Sequence, residues 1–257
     1  MLQPLKPVSN RARLALGAAF FVLFFAAWAA VTYGGVIDAM FLKTPAATLA
    51  TGYGLFAEFG FLRDVGITVF RVVGGFVLAA IVAVPLGIAM GAFKPVEAFF
   101  EPFVSFCRYL PASAFIPLLI LWAGVGETQK LAVIFIGSVF QIILMVAVTV
   151  GATRRDLVEA AYTLGADAGG IVKRVMLPGA APQIAEILRL VLGWAWTYVI
   201  VAELVGADSG IGHMIMDSQR LLDTGQMIFG IFMIGVIGLA SDLAFKWANQ
   251  RLFPWAF

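Results

Sequence analysis

The sequence predicts an all-α integral membrane protein with six transmembrane helices, and three observations lead there. Of its 257 residues 62% are hydrophobic and only 12% are charged, and the mean hydropathy is +0.99. Soluble domains sit near half apolar and a quarter charged, so this chain takes lipid as its solvent. Six runs reach the ~20 apolar residues that a helix needs to cross the hydrocarbon layer. Runs such as IFIGSVFQIILMVAV do not alternate apolar with polar residues. This disfavours a closed β-barrel, the other way to satisfy every backbone group in lipid.

The first run, near 14–35, follows Arg11 and Arg13. It stays uncharged for roughly 24 residues, longer than the ~7–15-residue core of a signal sequence. The small residues of AWAAVTYGG leave cleavage open, but the length favours a retained span. The second span is placed near 66–92, the third near 105–124 and the fourth near 131–151. The fifth and sixth lie near 183–205 and 225–247. An even number of spans puts both ends on one side, and Lys and Arg concentrate in cytoplasmic segments. One set of ends and loops carries Lys6, Arg11, Arg13, Lys94, Arg154, Arg155, Lys173, Arg174, Lys246 and Arg251. The opposite set carries Lys43, Arg63, Lys130 and Arg220. Both termini are therefore expected in the cytoplasm, together with residues 152–181. The whole chain, 1–257, reads as one transmembrane domain with a cytoplasmic N-terminal segment 1–13.

The cytoplasmic stretch TRRDLVEAAYTLGADAGGIVKRVMLPGAAPQ is too polar to span, yet it carries helix signals. Asp156 with Glu159 three residues on fits an N-cap and a reaching acid. Gly165 supplies the left-handed residue that ends the helix. A second helix is expected to start at Asp167 and to stop at Pro178. A long loop with this much order commonly exists to touch another protein.

Composition also excludes functions. A net charge of +2 gives no electrostatic basis for nucleic-acid binding. One cysteine, Cys107, forbids an internal disulfide, and one histidine, His213, forbids a multi-histidine metal site. No clustered carboxylates offer a catalytic constellation, and no GxxxxGK[ST] phosphate loop is present.

Ionisable and polar groups inside spans are costly and are candidate functional groups. Arg71, with Thr68 one turn earlier, either attracts an anion at a pathway mouth or snorkels to the outer interface. Arg108 is expected near the cytoplasmic surface, where lipid phosphate or a loop carbonyl would hold it. Arg189 and Glu203 share a face of the fifth span but stand roughly 21 Å apart along it, too far to pair. Glu203 is a candidate gate or structural group. Ser138, Gln141 and Thr197, with Trp194, Trp196 and Tyr198, are candidate pathway-lining groups. Asp208 and His213 fall in an outer loop as candidate partner contacts. Gly87 and Gly91 form a GxxxG that allows a close helix contact within one subunit.

Glu159-Ala160-Ala161, three residues, Gly165, nine residues and Val175-Met176-Leu177-Pro178 resemble the EAA loop of binding-protein-dependent ABC importer permeases of type I. Val175 stands where that family usually has isoleucine. The segments DVGITVFRVVGGFVLAAIVAVPLGIAMG, RYLPASAFIPLLILWAGVGETQK and VAELVGADSGIGHMI resemble its nitrate/sulfonate/taurine branch. The resemblance implies a coupling helix seated in a groove of an ATPase subunit through Glu159, Ala160, Ala161, Gly165, Leu177 and Pro178. It implies a second permease copy, two ATPase subunits that bind ATP and Mg, and a periplasmic substrate-binding protein. The chain itself would hold no cofactor and perform no chemical step. Spans three to five would wall a pathway for a small anion such as taurine, another sulfonate, nitrate or bicarbonate, in a bacterial inner membrane. A thiamine-precursor pyrimidine is the alternative cargo. An ion-gradient transporter is the alternative mechanism, although no convincing internal repeat supports it.

Overall fold

The computed structural model describes residues 8–256. Lys6 and the rest of 1–7, part of the expected N-terminal segment, lie outside the described residues. The described residues form helices and connecting turns only, in two units.

The first unit joins residues up to Gly60 with Asp217–Phe229. Helix α1, Asn10–Tyr33, starts at Ser9, whose hydroxyl accepts the Ala12 N–H at 3.3 Å. Helix α2, Pro45–Glu58, is capped by Thr44 and opened by Pro45, which needs no amide donor there. Its 14 residues rise only about 21 Å, short of a span, and no apolar run marks it in the sequence. Phe229 lies against Gly52 and meets Phe56 edge-on at 6.2 Å.

The second unit comprises Phe61–Met216 and the residues from Gly230 onward. Helix α3, Phe61–Ala92, and helix α6, Glu127–Gly151, form its centre. Arg71 pairs with Glu127, and a Cβ on Gly75 would stand 2.7 Å from that of Ile134. A Cβ on Gly87 would stand 2.8 Å from Ile143 O, and one on Gly91 2.5 Å from Ala147 O. The GxxxG glycines thus serve contact inside the chain. Partner numbers rise together along both helices, so α3 and α6 run parallel. From Arg71 to Gly91 the rise is about 30 Å, the full hydrocarbon thickness. The chain between Ala92 and Glu127 must therefore recross that distance.

It does so with a broken pass, which corrects the single third helix expected over 105–124. Helix α4, Lys94–Cys107, is followed by a 3-10 turn, Ala112–Phe115, and helix α5, Ile116–Ala123, with an 82° bend. The cause is Pro111, which biases Leu110 away from helical geometry and brings no N–H to the ladder. Five helices are long and apolar enough to span, and the bent pair makes the sixth pass.

Helix α9, Leu177–Leu204, packs antiparallel to α6: Tyr198 covers Gly137, and Ala202 clusters with Val133. Helix α10 is Ile211–Arg220 and helix α11 is Thr224–Leu252. The latter meets α9 through Trp196 Nε1, which donates to Ser241 Oγ at 3.1 Å. Arg189 adds two bonds to the Asp242 carboxylate at 2.6 and 3.0 Å, and Asn249 donates to Glu186 at 2.9 Å.

Between α6 and α9 lie helix α7, Arg155–Thr163, and helix α8, Ala168–Ile171. Two expectations change here. Asp156 is not the N-cap but lies in the first turn, paired with Arg154, which takes the cap position without a side-chain bond. Pro178 does not stop a helix either, because Ala168–Leu204 continues for 37 residues. The π-helical stretch Val172–Met176 widens the turn before Pro178, where a missing N–H and a bulky ring are tolerated. Asp167 does cap α8, accepting the Gly170 N–H at 3.1 Å.

Candidate functional site

Polar chemistry gathers at three places on this frame: the far end of α3, α6 and α9, the α7 loop, and the break between α4 and α5.

At the far end, Arg71 is fully buried. Its Nε donates to Glu127 Oε2 at 2.8 Å, and its Nη2 bonds Glu127 Oε1 and Ser209 Oγ. Its Nη1 donates to Glu203 Oε1 at 2.8 Å and to Ser209 O at 2.7 Å. A guanidinium has five N–H groups, and all five are engaged. Snorkelling does not fit this burial, and no donor remains for a passing anion. Thr68 donates to Glu203 at 2.9 Å and accepts the Ile211 N–H at 2.9 Å. Glu203 also accepts the Gly212 N–H at 2.8 Å, and Asp64 accepts that of Gly210 at 2.7 Å. Gly210 has φ +108°, and a Cβ there would stand 2.5 Å from Glu203 Oε1. Three of the sequence candidates, Thr68, Arg71 and Glu203, thus meet in one clamp that ties the 209–212 turn to α3, α6 and α9. Glu127 and Asp64 complete it, and neither is among the residues that the sequence singles out. The signal for Glu127 is its place after Gly126 at the head of an apolar run, where a first-turn acid suits a helix.

Asp208 is exposed beside this clamp. Its own backbone amide and the Ser209 hydroxyl hold its carboxyl below the usual carboxylate range. His213 lies in the first turn of α10 and not in a loop.

In the α7 loop, no residue of the helix is buried. Val158 and Ala161 turn toward the protein body, while Leu157, Glu159, Ala160 and Tyr162 face outward. The helix ends as a Schellman motif: Ala166 N–H bonds Ala161 O at 3.0 Å and Gly165 N–H bonds Tyr162 O at 2.9 Å. Gly165 takes φ +81°, the left-handed conformation expected of it. Leu164, 87% exposed, projects from this corner. Leu177 and Pro178 open α9.

At the break, Cys107, Arg108, Tyr109, Gly137, Gln141 and Tyr198 line a cavity of about 170 Å³. Gly137 lies ten residues, about 15 Å, below Glu127 and about 21 Å from Gly151. Arg108 is therefore near mid-depth and not at the cytoplasmic surface, as the sequence suggested. Ser138 is fully buried with no partner for its hydroxyl. Thr197 is exposed on α9 and donates to Trp194 O at 2.7 Å. The structure therefore places Gln141 on the cavity and Ser138 and Thr197 away from its lining.

Residues 75–254 match the family model described as binding-protein-dependent transport system inner membrane component. The chain is 35% identical over 190 residues to a putative ABC transporter permease protein of Methanocaldococcus jannaschii, covering 74% of this chain and 71% of that one. It is 28% identical to the taurine transport system permease protein of Escherichia coli, covering 97% and 92% respectively. It is 31% identical to a putative aliphatic sulfonates transport permease protein of Bacillus subtilis, covering 90% and 83%. In fold it resembles a chain of the inward-facing MetNI methionine ABC transporter, with TM-score 0.68 at 18% identity over 76% of this chain and 96% of that one. Parallel α3 and α6, the recrossing between them and the exposed EAA loop agree with these likenesses: the chain belongs to the binding-protein-dependent transport system inner membrane components, the multi-pass permeases of ABC importers.

Proposed function

We propose that this permease imports a small organic anion of the sulfonate class, taurine or an alkanesulfonate, driven by ATP hydrolysed in separate subunits. The observation that carries the coupling is the outward-facing helix Arg155–Thr163, which presents Glu159, Ala160 and a rigid glycine corner between two spans. Small side chains allow another protein's backbone to approach closely, and a short rigid helix transmits a rigid-body movement. Two ATPase subunits, holding ATP and Mg, would engage this loop from the cytoplasm, where both termini also lie. A second copy of the chain would face the stripe Leu190, Gly193, Trp194, Thr197 and Val201 that α9 leaves open. A periplasmic binding protein would deliver cargo at the far end, near Asp208 and His213. Transport is by alternating access: the ATP-bound state favours the outward-open cavity and hydrolysis resets it inward. The names of the taurine and aliphatic-sulfonate relatives support the cargo class.

The test is to purify the chain with its co-expressed ATPase and binding protein in lipid and measure ATP hydrolysis. The panel holds taurine, alkanesulfonates, nitrate, bicarbonate and an aminopyrimidine. Stimulation by sulfonates is the expected outcome. Stimulation by the aminopyrimidine alone overturns the anion reading, and failure of any ATPase to co-purify overturns the coupling.

A further inference from the structure

Arg71, Arg108 and Arg189 lie away from the ends of the membrane-spanning stretches, and they are not alike. Arg71 holds Glu127 and Glu203, and Arg189 holds Asp242 and Glu186. Arg108 has no carboxylate within ion-pair distance among the described residues. Its Nη2 donates to Tyr109 Oη at 2.6 Å and its guanidinium lies 4.6 Å from the Tyr109 ring centre. Its Nε is buried with no partner at all. A charge near the bilayer midplane is costly and is retained where it meets an opposite charge or a hydrated cavity. Non-helical backbone at that depth is likewise tolerated only where protein buries it or water reaches it. Both conditions converge on residues 107–112, where the helix is broken and the cavity opens.

We infer that the cavity at the α4–α5 break is a binding site for the anionic head of the cargo, with Arg108 as its charge partner. Gln141, intermediate in exposure on the same wall, brings an amide donor, and Tyr198 brings a hydroxyl. The volume of about 170 Å³ equals that of roughly six waters in the liquid. It is well below the ~300–1,000 Å³ of sites for drug-sized ligands, so it suits a small sulfonate. The flanking apolar side chains of Ile136 and Phe140 suit the short alkyl part. This assignment rests on the importer reading above and adds where and by which group the anion is held.

The only cysteine of the chain, Cys107, lines the same cavity and reports on it without any mutation. In the lipid-reconstituted complex, Cys107 is labelled with 2-sulfonatoethyl methanethiosulfonate and with its trimethylammonium counterpart, each rate normalised to a free thiol. Both reagents form a mixed disulfide with the thiolate and release methanesulfinate, and they differ in charge. The expected result is an anion preference of at least about tenfold, suppressed by taurine, as an unpaired cation focuses anions in a low-dielectric cleft. In Arg108→Gln the preference collapses toward unity, and in Arg108→Lys, which keeps the charge, it persists. No labelling of the native protein by either reagent, equal labelling by both, or protection by nitrate but not by taurine overturns the proposal. These failures are distinct from failure of the importer reading, which shows instead as no solute stimulating ATP hydrolysis in the wild-type complex.

Discussion

Removing the Arg71 side chain tests whether the far-end clamp is held by charge. In Arg71→Met the Glu203 carboxylate, 0% exposed, keeps only Thr68 and the Gly212 amide. Breaking a buried pair by deleting one partner costs about 3–5 kcal/mol, because the other charge stays buried and uncompensated. At about 2–4 °C per kcal/mol for a chain of this size, the midpoint should fall by roughly 6–20 °C. Glu127→Gln differs, since that side chain is 48% exposed and water takes over the lost partner. Its cost should stay near the 0–1 kcal/mol of exposed pairs, a shift of at most about 4 °C. Adding Glu203→Gln to Arg71→Met removes the stranded charge and should recover part of the loss, a non-additive result expected only of groups in contact. Thermal unfolding of the purified complex in lipid, followed by tryptophan fluorescence, gives all three midpoints. A double variant less stable than Arg71→Met, or equal shifts for Glu127→Gln and Arg71→Met, would refute the argument.

Other sites give independent checks. Gly91→Leu drives a side chain toward Ala147 O and Val150, so overpacking should cost about 1–3 kcal/mol or more and lower the midpoint of unfolding. Gly66→Leu has open space and should leave the midpoint close to wild type. Gly165→Val places a β-branched residue at φ +81° in an exposed turn, a strain of about 1–2 kcal/mol. Its spans should remain folded while ATPase co-purification falls, and unchanged co-purification by size-exclusion chromatography would count against the coupling role. Leu164→Asp, at a position 87% exposed, should leave thermal stability within about 0.5 kcal/mol and weaken ATPase retention.

The spans were legible because lipid leaves so few alternatives: long apolar runs without alternation can be little else. Gly165 was legible because the Schellman geometry needs its positive φ, and Asp167 because a short acid before small residues caps a helix. Glu127 was hidden because a loop acid and a clamp acid look the same until α3 lies beside it. The break at Pro111 was visible as a proline, but an apolar composition on either side read as one span. The depth of Arg108 follows from the same break: a continuous helix would start it near the surface, whereas a broken pass holds it near mid-depth. Local signals thus mark ends and turns, whereas a role such as that of Glu127 depends on which helix runs parallel to which.

That pairing also explains why a return pass exists. Two parallel neighbours packed through Gly75, Gly87 and Gly91 require a return pass between them in sequence, and their close contact places that pass outside the pair. It bends through 82° after Cys107, at the depth of Gly137 and beside Tyr198. The opposite face of the same arrangement is α9, which with α8 and the π-helical stretch forms one helical run from Ala168 to Leu204. This helix joins the α7 corner to Glu203 in the far-end clamp and carries Tyr198 past the cavity on the way. A rigid displacement of the loop therefore reaches the cavity wall and the clamp through one continuous hydrogen-bonded rod about 55 Å long. The π-helical stretch at Val172–Met176 departs from regular α geometry at the junction with the loop, and Pro182 follows inside α9. Movement applied at α7 therefore meets first the two positions where the helix lacks a regular hydrogen bond, before it reaches Tyr198 and the clamp.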